Sequence, residues 1–301
     1  MRIDSWNIVI GALVLFSTLV FACSKEEKIT HLEGRVEGNN HPPFDGVSKV
    51  LIDNYVNRYY IDLIGISPDD STLNGVSQQL IQTPLDIDLR ASLIENAIDD
   101  TIYFDRFFSV TSLKFIEGFE RKDLMDRQLE YEVAKDLAEN NGDSLLVQVI
   151  EFEIIKMDSL IQAADRLETG EIDLKAFFRA FCFNYVYDEI NMGSLNFVVA
   201  CFENLFGRGP TANEQDRSIA MVDGASSFLF SQSGNSKSDF LSIMLNSPEF
   251  EIGRAKDIYT DLLQRQPDTN EEIEAVGLIR NAPNLKAIQV NIAKSEEYAG
   301  F

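Results

Sequence analysis

The chain has 301 residues, 45% of them hydrophobic, and a formal net charge of −23. That apolar share supports a real core, and that much negative charge repels phosphate backbones, which sets nucleic acid aside as a partner. Its two histidines, His31 and His41, both precede the body of the chain, so the body offers no imidazole for a metal site or a nucleophile–base pair.

In chain order, the first element is an apolar run from Ile8 to Phe21 behind Met1-Arg2-Ile3-Asp4. It falls short of the roughly 20 apolar residues that cross a bilayer and has the length of a signal-peptide core. It ends in Val20-Phe21-Ala22-Cys23, which resembles the lipobox of bacterial lipoproteins, where a small residue precedes the cysteine that becomes the lipidated start of the mature chain. The expectation is a signal peptide over residues 1–22 and a lipid anchor on Cys23, each buried methylene contributing about 0.8 kcal/mol to membrane binding. Lys25-Glu26-Glu27 just behind it resembles the surface-export signal of Bacteroidetes lipoproteins. That resemblance implies the outer membrane, with the body facing the medium. Residues 23–46 are polar, contain Gly38-Asn39-Asn40-His41-Pro42-Pro43, and read as a flexible tether.

From Val47 onward the apolar spacing is helical nearly throughout, and sustained strand-type alternation is missing. The expected fold is all-α: packed antiparallel helices in an N-terminal region, 47–167, and a C-terminal repeat region, 168–301. Arg121 to about Glu139 predicts one helix closed by Asn140-Asn141-Gly142-Asp143; Ser144 to about Leu167 predicts another, closed by Thr169-Gly170.

One element recurs three times in the same register. Tyr60, Leu63, Gly65 and Pro68 match Phe202, Leu205, Gly207 and Pro210, and then Tyr259, Leu262, Gln264 and Pro267. The aromatic and the leucine share a helix face, the glycine suits a left-handed helix end, and the proline is expected at the first turn of the next helix. Gln264 in place of glycine predicts a different helix end in the third copy. A second element, spaced four, three and three, reads Leu93-Ala97-Asp100-Tyr103, Phe177-Phe181-Asn184-Tyr187, Phe240-Met244-Ser247-Phe250 and Ile288-Ile292-Ser295-Tyr298. That spacing predicts one buried helical stripe. The run Phe177 to Tyr187 is apolar almost all round, as in a buried central helix or a docking surface.

These residues carry a resemblance. Glu168 to Phe181 and Asn284 to Tyr298 are similar to the turn and helix of phycobilisome linker domains. The segment Tyr259 to Asp268, with Ser247-Pro248-Glu249-Phe250 and Ser295-Glu296-Glu297-Tyr298, resembles a helical repeat of secreted bacterial proteins marked by Leu-Leu-Gly-Arg-x-Pro-Asp and Ser-x-Glu-Phe/Tyr. Tyr59 to Pro68 resembles a helical domain of unknown function found beside cytochrome-like modules in planctomycete proteins. The linker resemblance implies protein–protein assembly, and none of the three implies catalysis. Residues 106–167 resemble nothing named here.

Catalytic patterns are sparse. Gly224-Ala225-Ser226-Ser227 lacks the second glycine of a nucleophile elbow, and Asp165 to Ala176 has the glycine of a calcium loop without its ligands at positions three and twelve. The adjacent acids Asp69-Asp70 and Asp99-Asp100 sit near helix ends, where dipoles account for the first pair. Cys182 and Cys201 flank the turn Met192-Gly193-Ser194, so a helical hairpin brings them together, as buried free thiols or as a disulfide. The reading is a non-enzymatic lipoprotein without cofactors that binds or scaffolds envelope proteins, with nutrient capture (glycan or peptide) and a carboxylate-only enzyme as rivals.

Overall fold

Ser48 accepts a hydrogen bond from the Leu51 amide and starts α1 (Lys49–Ile64). The computed structural model describes residues 46–83, 86–99, 101–282 and 284–301. Among these follow α2 (Asp70–Gln82), α3 (Ile87–Ile98), α4 (Thr101–Phe115), α5 (Arg121–Asn140), α6 (Ser144–Ile161), α7 (Ala163–Glu168) and α8 (Leu174–Cys182). Then come α9 (Tyr185–Ile190), α10 (Ser194–Phe206), α11 (Ala212–Val222), α12 (Lys237–Leu245), α13 (Pro248–Leu263), α14 (Thr269–Asn281), α15 (Lys286–Ala293) and α16 (Glu296–Ala299). The fold is all-α, as expected. One small antiparallel hairpin, β1 (Ser227–Leu229) with β2 (Gln232–Gly234), interrupts it. Its turn puts Phe230 and Ser231 at φ 46° and 64°, a conformation that hairpins usually assign to Asn-Gly, so Phe-Ser gave no turn signal. None of the described helices is long and apolar enough to cross a membrane.

The expected helix from Ser144 to Leu167 breaks at Gln162, where α6 ends and α7 begins; Ala163, Ala164 and Leu167 are buried on the new axis. α7 packs against α4 and α8, so no gap in the packing falls at 167/168.

The three-fold element becomes one kind of corner. Each helix ends on a left-handed residue: Gly65 (φ 83°), Gly207 (φ 69°) and Gln264 (φ 57°). Gln264 therefore keeps the geometry that its missing glycine predicts it to lose. The prolines do not open the next helices. Pro68, Pro210 and Pro267 each precede the N-cap, and Asp69, Thr211 and Asp268 take up the free amide donors of α2, α11 and α14. In the second and third copies an arginine locks the corner. Arg208 forks onto Glu214 (2.8 and 2.9 Å) and Glu249 (2.6 and 2.9 Å). Arg265 does the same with Glu271 (both 2.7 Å) and Glu297 (both 2.6 Å). Glu214 and Glu271 also complete capping boxes. The first copy has Ile66 in place of the arginine and so has no such clamp.

The second element is not one stripe. Its polar residue caps a new helix: Asn184 starts α9, Ser247 α13 and Ser295 α16. The apolar positions on both sides still meet in the core, where Phe177, Phe181, Tyr187, Phe240, Met244, Phe250, Ile288, Ile292 and Tyr298 are all buried. In the first copy Asp100 lies outside the described residues.

Two contacts set the spacing of the helices. α13 crosses α10 at Gly253, where an added Cβ would stand 2.5 Å from the Leu205 carbonyl oxygen. α1 closes onto the end of the chain: the Tyr55 hydroxyl donates to Ala293 O (3.1 Å), and Arg58 donates to Leu262 O and Tyr298 O (both 2.6 Å).

Gly253→Ala is expected to cost about 1–3 kcal/mol through overpacking, read as a lower midpoint in urea. Hydrogen bonds from Arg208 and Arg265 hold the Glu214 and Glu271 carboxyls down at about 2. A depressed folded-state carboxyl contributes stability that is fully present above its unfolded value, near 4.3, and lost as pH falls toward the folded one. Arg265→Ala is therefore expected to flatten the loss of stability between about pH 4.5 and 2, measured by urea unfolding across that range.

Candidate functional site

Cys23, Lys25, Glu26 and Glu27, with His31 and His41, lie outside the described residues. Cys182, at the end of α8, and Cys201, in α10, do come together, and both are buried free thiols. The Tyr187 hydroxyl, itself accepting from Asn204 (3.1 Å), donates to Cys201 Sγ (3.8 Å). Burial pushes the Cys182 thiol well up, and a hydrogen bond with Cys201 adds to this, so Cys182 is a packed thiol and not a nucleophile. Asp69 caps α2, and Asp173, at the far side of the Asp165 turn, caps α8. Gly170 takes φ 71° between them, so this turn is a helix stop and restart. Among the described residues no group of three or more His, Cys, Asp or Glu side chains is placed to hold a metal ion.

A long run of exposed apolar side chains lies in the stretch that resembles nothing named. α5 and α6 form an antiparallel hairpin. Leu124, Ala138, Ile150, Met157 and Leu160 are buried, Tyr131 stacks edge-on with Tyr185 (5.2 Å), and Lys135 pairs with Glu151 across the hairpin (2.9 Å). At about 100° per residue, Met125, Leu129, Val133 and Leu137 centre on the side of α5 facing away from Tyr131. These four are 52–59% exposed, and Leu145, Val149, Phe152 and Ile155 on α6 are 51–71% exposed. Single exposed leucines are ordinary; a run every fourth residue along 13 residues of helix marks an interaction surface. The signal is legible in the sequence as a second apolar period on α5, out of phase with the first.

Charge frames this strip. Asp126, Glu132 and Asp136 are exposed beside it, and none forms an ion pair with a described residue. The cations of α5 are mostly occupied: Arg121 by Asp105 (3.0 Å) and Asp165 (2.8 Å), Arg127 by Glu130 and Glu189, Lys135 by Glu139 and Glu151. Lys122 is the exception.

A second feature is a cleft of about 440 Å³ between α1, α4 and α13. Its walls include Leu63, Phe107 and Ile258; Asp62, Arg106, Lys114, Arg254, Asp257 and Asp261 supply the charge. Lys114 and Arg254 share Asp257 (2.7 and 3.0 Å). Burial pushes the Asp261 carboxyl up, with Asp257 adding to the effect, and burial also lowers Lys114. Arg254 stacks over the Phe178 ring (4.6 Å) and donates to the carbonyls of Asn204 and Leu205.

No family model, no curated protein and no solved structure matches the chain.

The buried thiols make a direct prediction: a thiol reagent is expected to leave Cys182 and Cys201 unmodified in the native protein and to label both in denaturant. Mass spectrometry of the labelled peptides reads the outcome, and rapid native labelling would contradict the packing.

Proposed function

We propose that this chain is a non-catalytic lipoprotein, held by acyl chains on Cys23, that docks another protein of the cell envelope on its α5–α6 hairpin. The observation that carries the reading is the Met125-Leu129-Val133-Leu137 strip with its α6 neighbours. Fully burying a side chain of this size contributes about 1.5–3 kcal/mol, so covering several at once offsets the cost of association. The acids beside the strip, Asp126, Glu132 and Asp136, specify the partner's chemistry: an apolar ridge flanked by lysine or arginine. Opposite charges around an apolar centre also speed and orient encounter. The Lys25-Glu26-Glu27 triplet and the polar tether over 23–46 support placement on the outer face of the outer membrane, at a distance that lets the body reach a neighbour.

Two experiments test the two halves. Labelled palmitate is expected on the wild type and not on Cys23→Ala, and the variant is expected to leave the membrane fraction; an unlabelled wild type sinks the anchor. A photo-crosslinker at Leu129 is expected to trap one protein reproducibly, and a crosslinker at exposed Asn213 is not. The Leu129→Glu/Val133→Glu variant is expected to lose that partner in gentle detergent while keeping its circular dichroism and melting temperature. A partner retained by the double variant, or a wild type that is always solitary, defeats the docking half alone.

A further inference from the structure

The cleft between α1, α4 and α13 has a different chemistry from the hairpin. On a chain of net charge −23, three cations, Arg106, Lys114 and Arg254, line it together with three acids, Asp62, Asp257 and Asp261. Two of the cations are already engaged, because Lys114 and Arg254 share the Asp257 carboxylate at 2.7 and 3.0 Å. Arg106 is not. Its guanidinium forms no ion pair with any described residue, and its Nε is buried without a hydrogen-bond partner. Its stem is fixed by a close approach to the end of α1: a Cβ on Gly65 would stand 2.7 Å from Arg106 Cδ. The glycine that ends α1 therefore also seats this arginine in the cleft wall. Around it the surface is apolar, with Leu63, Phe107, Ile258 and Leu262.

We propose that this cleft binds a small amphipathic carboxylate, its apolar body on Leu63, Phe107 and Ile258 and its carboxylate on the Arg106 guanidinium. The volume, about 440 Å³, is in the range of small-molecule pockets, roughly 300–1,000 Å³ with mostly apolar walls and few polar groups. A planar guanidinium with free donors matches a carboxylate in two parallel hydrogen bonds. Asp261 sets the limit on ligand charge. It lines the same cleft with no ion pair to a described residue, beside the paired Asp62 and Asp257, so a dianionic head such as an alkyl phosphate meets about twice the repulsion of a monoanion.

Calorimetry with the full chain tests this, using decanoate, decanol, decylammonium and decyl phosphate as probes. Decanoate is expected to bind saturably at one site and more tightly than the other three. Arg106→Gln is expected to weaken decanoate by about tenfold or more, the value of a charged hydrogen-bonded pair, and to leave decanol unchanged. Arg106→Lys, which keeps the charge and loses the fork, is expected to fall between them, and it carries the test if the glutamine variant unfolds. Val110→Trp, which fills the cleft from a half-exposed wall position, is expected to abolish binding. The Leu129→Glu/Val133→Glu variant is expected to bind decanoate as the wild type does, which separates this site from the hairpin. Absence of saturable binding, equal decanoate affinity in wild type and Arg106→Gln, or preference for decylammonium would overturn the proposal.

Discussion

Arg58 joins the two ends of the described fold. From the middle of α1 its guanidinium reaches two carbonyls, Leu262 O at the end of α13 and Tyr298 O near the end of α16. It also lies 4.0 Å over the Tyr298 ring. Helix C-termini present unpaired carbonyls and a partial negative charge, so one cation here satisfies two helix ends together. Tyr298 in turn donates to Asp62 (2.8 Å) on α1. The cleft sits beside this junction, with Asp62 and Leu63 from α1 facing Ile258 and Asp261 from α13. Its walls stay in place because Arg58 keeps α1 against α13.

Helix positions and corners were legible because they depend on local chemistry. Asp69, Thr211 and Asp268 are small polar residues that cap helices wherever the chain needs a start, and the left-handed residue before each proline marks a stop. Legibility failed where tertiary contact overrides local preference. Gln264 adopts φ 57° because the Arg265 clamp and the burial of Leu262 hold the corner against its side chain. The break at Gln162 has no glycine or proline to announce it. The stripe spaced four, three and three read as one helix because a capping serine or asparagine looks like any polar residue until the backbone is seen to turn there. The arginine of the Leu-Leu-Gly-Arg-x-Pro-Asp pattern showed its purpose only in space. In this chain Arg208 reaches Glu214 and Glu249 at once, and Arg265 reaches Glu271 and Glu297.

The candidate sites divide in the same way. The α5 strip was readable as periodicity, although a sequence does not say which of two apolar periods is buried. The cleft was not readable, because Asp62, Arg106 and Asp261 are far apart along the chain and meet only through the α1 closure. The cysteines lie between these cases: the hairpin that brings them together follows from the Gly193 turn, and their burial follows from the apolar run around them.

The Tyr55–Ala293 hydrogen bond spans 238 residues, and Arg58–Tyr298 spans 240. α1 thus packs early against α2, α3 and α4 but closes onto α13, α15 and α16 only when the last helices arrive. During synthesis the side of α1 that meets those last helices stays uncovered, since contacts this remote in sequence form late. Local corners give each helix pair its shape early, but the core cannot be sealed until nearly the whole chain is available. A chain organised this way closes its core late and carries exposed apolar surface, open to misassembly, until it does.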